Sequence, residues 1–238
     1  MSRKAAPSRA NRRWLRWTLA LVAALFVIPI AEVGCVRLAN PPLTPLMLLR
    51  SAEARLDGRT PPPRRYTWID LPQIPRHFLR CVLTSEDQRF FQHHGFDWRE
   101  IELAQLQAER SGKPLRGAST ISMQCARSLF LWQGRSLIRK GLEAYYTFWL
   151  ELLLPKRRIL ELYANVIEMG DGIYGIEAAA QAHFGTSARA LNREQAALLA
   201  AILPNPRQRD PRQPSPAVNA RAARILRAEP GLKVPAAF

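Results

Sequence analysis

The sequence predicts a mainly α-helical domain carried behind one N-terminal membrane-spanning helix. Three observations predict it. An apolar run at residues 17–31 follows a basic start, the periodicity over residues 76–203 is helical with no alternating strand run of comparable strength, and two proline-rich stretches flank that helical region. The 238 residues are 47% apolar, which suits one ordinary domain with appendages and excludes disorder throughout. Thirty-five Lys and Arg against nineteen Asp and Glu leave a net charge of +16, so anionic partners are expected: nucleic acid, an anionic membrane surface or a phosphorylated substrate. Cys35, Cys81 and Cys125 form no C-x-x-C pair, and the four histidines have no H-x-x-x-H spacing, which excludes zinc ribbons, thioredoxin-like motifs and zincins.

Residues 1–16 form a basic segment with six cations and no acid. The fifteen apolar residues behind it span only about 22 Å, so extension through Val36 is needed to cross a core of roughly 30 Å. A transmembrane anchor over residues 17–36 follows, its N-terminus cytoplasmic and the remainder outside, with Trp14 and Trp17 at the interface. The alternative, a cleaved signal peptide, lacks an A-x-A-like site, and Glu32 argues against lipid modification of Cys35. Outside the cytoplasm Cys81 and Cys125 either pair or are buried, and their apolar helical contexts favour burial. Nucleic acid is disfavoured there.

Residues 37–75 carry eight prolines and one short helical piece near residues 46–56, and read as a stalk and lead-in. Leu43, Leu46, Met47 and Leu49 would seat the domain on an anionic leaflet. The helical domain is expected over residues 76–211. Its markers are Phe78, Val82 and Ser85; Trp98, Ile101, Gln105 and Ala108; and Ile121, Cys125, Leu129 and Trp132. Asn192 and Gln195 form a capping-box start, and Pro204 stops that helix. The tail, residues 212–238, carries a short helix at 217–227.

Four segments offer chemistry. Glu86 and Asp87 end a helix just before Phe90 and Phe91. A carboxylate held against those rings would be raised toward general-base range, whereas the plain reading is a surface acid paired with Arg89. Residues 112–120 form a loop entering a helix, with Ser119 or Thr120 as N-cap. Its free N–H groups, with Arg116, Gln124 and Arg127, could bind phosphate. Arg135, Arg139 and Glu143 recur at i, i+4 and i+8 on an otherwise apolar helix over residues 136–154, with Lys140 alongside. That stripe faces a polar cleft or is an exposed row of pairs. Ile159, Leu160, Tyr163 and Ile167 make a packing face, and Gly170, Asp171, Gly172 and Gly175 form a tight turn before an alanine-rich helix at 176–183.

Taken in order, E-D-Q-R-F-F-x-H-H-G, G-A-S-T-I-S-M-Q, R-K-G-L-E and K-R-R-I-L-E-L-Y-A-N resemble the successive motifs of the family 51 peptidoglycan glycosyltransferases, in their monofunctional biosynthetic form. The resemblance covers about residues 41–211. It implies a lysozyme-like helical glycosyltransferase domain at the outer face of a bacterial inner membrane, periplasmic and single-pass, polymerising lipid II into glycan strands. On the matching positions Glu86 is the catalytic base and Glu143 the second acid. Ser119, Thr120, Gln124, Arg127, Arg135, Arg139 and Lys140 surround the pyrophosphates. A divalent metal, Mg or Mn, joins the cations there, no organic cofactor is implied, and cell-wall synthesis proteins are expected partners. The sequence departs from the family at Met123, Arg127, Ser128 and Ala164, and Arg127 trades a point charge for a planar fork. A lytic hydrolase and a non-catalytic scaffold are the rival readings. The first needs no cationic helix, and the second would have lost one of the two acids.

Overall fold

The computed structural model describes residues 9–112, 117–134 and 136–235, with the side chains of residues 9–12 left aside. Its helices are α1 (Arg9–Leu38), α2 (Pro45–Leu56), α3 (Arg76–Glu86), α4 (Trp98–Ser111), α5 (Ile121–Phe130), α6 (Leu137–Leu153), α7 (Lys156–Val166), α8 (Ile176–Phe184), α9 (Arg193–Ile202) and α10 (Pro216–Ala228). Three short strands, β1 (Arg65–Tyr66), β2 (Glu168–Gly170) and β3 (Ile173–Tyr174), form a sheet in the order β1-β3-β2. The mainly α reading therefore holds, with a small sheet that the periodicity did not announce. Strands of two or three residues are too short to show alternation.

α5 is the central helix. Eight of its ten residues are buried, against α6 on one side and α7 on the other. α7 buries Ile159, Leu160 and Tyr163 as its apolar face predicts, and Cys81 and Cys125 are free thiols in the core. Burial pushes the Cys81 thiol up to about 12, so it packs as a small hydrophobe. The capping box at Asn192 and Gln195 is formed, and α9 ends at Ile202 before Pro204.

Several expectations need correction. The lead-in is not a detached stalk. Leu46 and Met47 are buried with Tyr174, so they cannot face a leaflet, and Arg50 reaches Glu168 at 3.0 Å. Asn165 then acts as a surrogate strand: its Oδ1 accepts the Ile69 N–H and its Nδ2 donates to the Ile69 carbonyl, each at 2.9 Å. β1 pairs in parallel with β3, bringing the lead-in into the sheet. Nor does the tail hang free, because α10 packs on α9 and α3. α4 forms where its periodicity predicts but buries no residue, leaving Trp98, Leu103 and Leu106 exposed.

On α6 the charged stripe is the buried face. Its buried positions are Arg139, Glu143, Thr147 and Leu150, a stripe at i, i+4, i+8 and i+11, while Leu137, Ile138, Phe148 and Leu152 are exposed. A soluble helix does the opposite. The inversion makes sense when the outer face meets lipid and the inner face lines a polar site.

α1 holds one window, Arg13–Leu38, long and apolar enough to cross a membrane. It exceeds the expected span of residues 17–36 at both ends. Its C-terminal half lies against α6, with Val33 and Val36 in the domain core.

Candidate active site

α3 ends at Glu86, and Asp87 follows with φ −163°, an extended residue that sends the two neighbouring carboxylates apart. Asp87 turns inward. Both its oxygens lie 3.0 Å from His93 Nε2, and Oδ2 accepts the Ile121 N–H at 3.0 Å, so a carboxylate sits at the positive end of α5. Thr120 caps the same helix by accepting from Met123 N, and its hydroxyl donates to the Gly95 carbonyl at 2.6 Å. Gly95 must be glycine: its φ is +90°, and a Cβ would stand 2.8 Å from Thr147 Cγ2. Both groups serve the framework.

Glu86 faces a cleft, lined by Ser85, Gln88, Arg89 and Glu100 on one side and by Gly117 and Ser119 on the other. Its side chain is 12% exposed. Oε1 accepts from Ser85 Oγ and from Arg221 Nη2, each at 2.9 Å, and Oε2 accepts from Gln124 Nε2 at 3.1 Å. The expected apolar seat is absent, since Phe90 stacks edge-on with Phe91 and His93 and lies under Lys156 Nζ. Polar donors hold Glu86 instead. Gln124 is oriented in turn by the Tyr163 hydroxyl, which donates to its Oε1 at 3.1 Å. Burial pushes Tyr163 up, with the nearby Glu86 charge adding to it, so the phenol stays a donor and keeps the Gln124 amide turned toward Glu86.

One turn along α5 from Gln124, Arg127 begins the second half of the site. Glu143 is fully buried on α6 and accepts from Lys140 Nζ at 2.5 Å and from Arg139 Nη1, while Arg127 Nη1 stands 3.9 Å away. Three cations around one acid leave positive charge over. Arg139 is enclosed and also donates to the Gly134 carbonyl at 2.8 Å. Lys140 is 44% exposed and Arg127 26%, so these two can meet a ligand. Lys140 Nζ also donates to Ser119 Oγ at 3.3 Å, joining the cationic cluster to the cleft wall. The charged stripe is thus turned inward and mutually paired, and it touches the cleft lining through Lys140 and Ser119. Arg135 and Arg116 lie outside the described residues.

Of the departures, Met123, Ser128 and Ala164 are buried packing positions, whereas Arg127 keeps a cation beside Glu143. The residue that sequence reasoning missed is Arg221. It sits on α10 within the supposed tail, and its only signal was an amphipathic helix there.

The two acids of the site, Glu86 and Glu143, offer no unoccupied oxygen to a resident divalent metal. Glu143 has one cation on each oxygen, and Glu86 has a guanidinium and an amide. Among the described residues one group, Asp87, His93 and Asp97, brings three metal-type ligands together; it is buried outside the pair of site glutamates, with Asp97 Oδ1 held by Arg89 and the Glu100 N–H and with Asp97 Oδ2 and His93 Nδ1 making no hydrogen bond.

A held carboxylate beside a cleft, with a cationic cluster joined to its wall, is an arrangement chemically able to accept a proton and to hold a polyanion. The family model described as Transglycosylase matches residues 55–229, and the chain belongs to that family. A biosynthetic peptidoglycan transglycosylase of Xanthomonas euvesicatoria pv. vesicatoria (strain 85-10) is 45% identical over 225 residues, covering 94% of this chain and 90% of the relative. Its counterpart in Xylella fastidiosa (strain 9a5c) is 46% identical over 214 residues, covering 90% and 88%. The match to the family model begins inside the lead-in and ends in the tail, as the packing of both would require.

Proposed function

We propose that this chain is a peptidoglycan glycosyltransferase that polymerises lipid II by inverting displacement of undecaprenyl pyrophosphate. The observation that carries the reading is Glu86, held by Gln124 and Arg221 at a cleft whose other wall joins Ser119 to the Arg127, Arg139, Lys140 and Glu143 cluster. Glu86 takes the proton of the incoming sugar 4-hydroxyl as it attacks C1 of the donor. Lys140 and Arg127, with Arg135, offset the charge that grows on the departing pyrophosphate. Glu143 has no free oxygen and no exposure, so it is a positioning residue that holds the cations. No step is assigned to a metal.

The basic start and the apolar window of α1 support a single-pass anchor in the bacterial inner membrane, with the catalytic domain periplasmic. Lipid II and the growing strand are then met at the membrane surface, where cell-wall synthesis proteins also work. The test is detergent-solubilised full chain with labelled lipid II, products resolved on a gel. Polymer is expected, and Glu86→Gln abolishes it while leaving the fold intact. Soluble muropeptides from purified glycan instead of polymer would make the enzyme a hydrolase.

A further inference from the structure

Within α1 the face that meets the domain is Pro29, Val33 and Val36, buried at i, i+4 and i+7. Phe26 packs edge-on against Trp149 at 6.4 Å, Tyr146 donates to Glu32, and Arg37 Nη1 donates to the Leu153 carbonyl at 2.5 Å. The end of α1 is closed from outside as well: Arg158 of α7 donates to the Val36 carbonyl at 3.0 and 2.8 Å and to the Ala39 carbonyl at 2.9 Å.

Pro29 has no N–H, so the carbonyl four residues earlier, Leu25, loses its helical partner. Leu25 lies inside the apolar window, where an unpaired carbonyl finds no water. The Tyr145 hydroxyl donates to that carbonyl at 2.5 Å. Tyr145 belongs to α6, the helix that also carries Arg139, Lys140 and Glu143.

We propose that Tyr145 is a positioning residue: its hydroxyl fills the carbonyl that Pro29 opens, and so sets the register of the anchor against α6 and the height of the cleft above the bilayer. The register is unique because every other carbonyl along this part of the helix interior keeps its own N–H donor. Sliding α1 by one residue moves it about 1.5 Å along its axis, turns it about 100°, and takes Leu25 O away from the phenol. A buried polar contact that fits one alignment specifies register in coiled coils in the same way. The proposal rests on the glycosyltransferase reading for its catalytic consequence and, for the lock, on the Tyr145–Leu25 geometry together with the placement of α1 in the bilayer, since Leu25 is 53% exposed in the fold itself.

The experiment is a double-mutant cycle of Tyr145→Phe and Pro29→Ala in the full chain, reconstituted in nanodiscs. Pro29→Ala returns an N–H to the helix and closes the Leu25 carbonyl without the phenol. Two readouts are taken. In amide hydrogen exchange over residues 26–38, Tyr145→Phe is expected to speed exchange at least tenfold, and the same substitution made on top of Pro29→Ala to change it less than twofold. In polymerisation, Tyr145→Phe should lower kcat/KM about fivefold on bilayer-embedded lipid II while leaving kcat on a detergent-dispersed short-chain analogue unchanged. Equal exchange effects with and without Pro29→Ala overturn the lock. An intact lock with equal loss on both substrates overturns the positioning role. A protein that shows the exchange pattern but makes no polymer in any form keeps the lock and overturns the glycosyltransferase reading.

Discussion

At the scale of single residues, the site separates groups that touch a ligand from groups that hold them, and exposure tells the two apart. Arg139 and Lys140 are neighbours on α6 and both bind Glu143, yet the Arg139 side chain is 7% exposed and the Lys140 side chain 44%. Arg139→Ala leaves Glu143 Oε2 with only the more distant Arg127, while Lys140 stays on Oε1, and should cost about 3 kcal/mol of stability, with activity lost through the fold. Lys140→Ala should cost less than about 1 kcal/mol and still lower kcat/KM at least tenfold, because it removes charge from the ligand side. Chemical denaturation and polymerisation rates on the two variants separate these effects. A stable Arg139→Ala protein would place Arg139 with the ligand-facing cations. Arg221→Ala leaves Glu86 with Ser85 and Gln124 alone, and kcat is expected to fall about tenfold with little change in KM. A change in KM alone would make Arg221 a binding group. Gly175 is a tighter constraint than any charge here: its φ is +77°, and a Cβ would stand 2.3 Å from the Asn165 carbonyl oxygen. Gly175→Ala should therefore destabilise by about 3 kcal/mol, read from the denaturation midpoint.

Among elements, α10 matters more than its terminal place suggests. Its end is stapled by Glu229, which receives Arg193 at 2.8 Å and Arg80 more closely still. Burial works to push the Glu229 carboxyl up, but the hydrogen bonds from Arg80 and Arg193 outweigh it and hold the group below the usual glutamate range. A depressed folded value contributes stability above the unfolded pKa, about 4.3, and loses it as pH falls through the folded value. Glu229→Gln should thus cost about 2 kcal/mol at pH 7, and the cost should shrink steadily as pH falls below the unfolded glutamate range, measured by denaturation across pH. An equal loss at both ends would assign the effect to packing. Much at this scale was legible in the sequence. The capping box of α9, the stop before Pro204, the N-cap at Thr120 and the face of α7 all follow from local chemistry. What was not legible depends on distant partners: Asn165 pairing with Ile69, the small sheet, and Arg221 reaching Glu86 across the fold. The charged stripe of α6 was visible, but which side of that helix is the outside was not, since periodicity reports a face and not what covers it.

For the whole molecule, the anchor and the domain are one packing unit. Removing everything before Ala39 deletes Val33 and Val36 from the core and uncovers apolar surface on α6. At roughly 1.5 kcal/mol or more for each buried valine, such a chain should be about 3 kcal/mol less stable and should aggregate without detergent, as size-exclusion chromatography would reveal. It should also bind anionic vesicles and stay bound as salt rises, because Phe148, Leu152 and the uncovered face are apolar. Complete release at high salt in co-sedimentation would reduce the contact to charge alone.

The ion pair between Arg221 and Glu86 closes a separation of 135 residues in the chain. Translation runs at about 5–20 residues per second, so the arginine is made roughly 7–27 s after the glutamate it holds. During that interval the central helices are themselves being made, and Glu86 gains Gln124 of α5 long before it gains Arg221 of α10. The site therefore reaches its full set of partners only when α10 has been made, well after the carboxylate and the central helix.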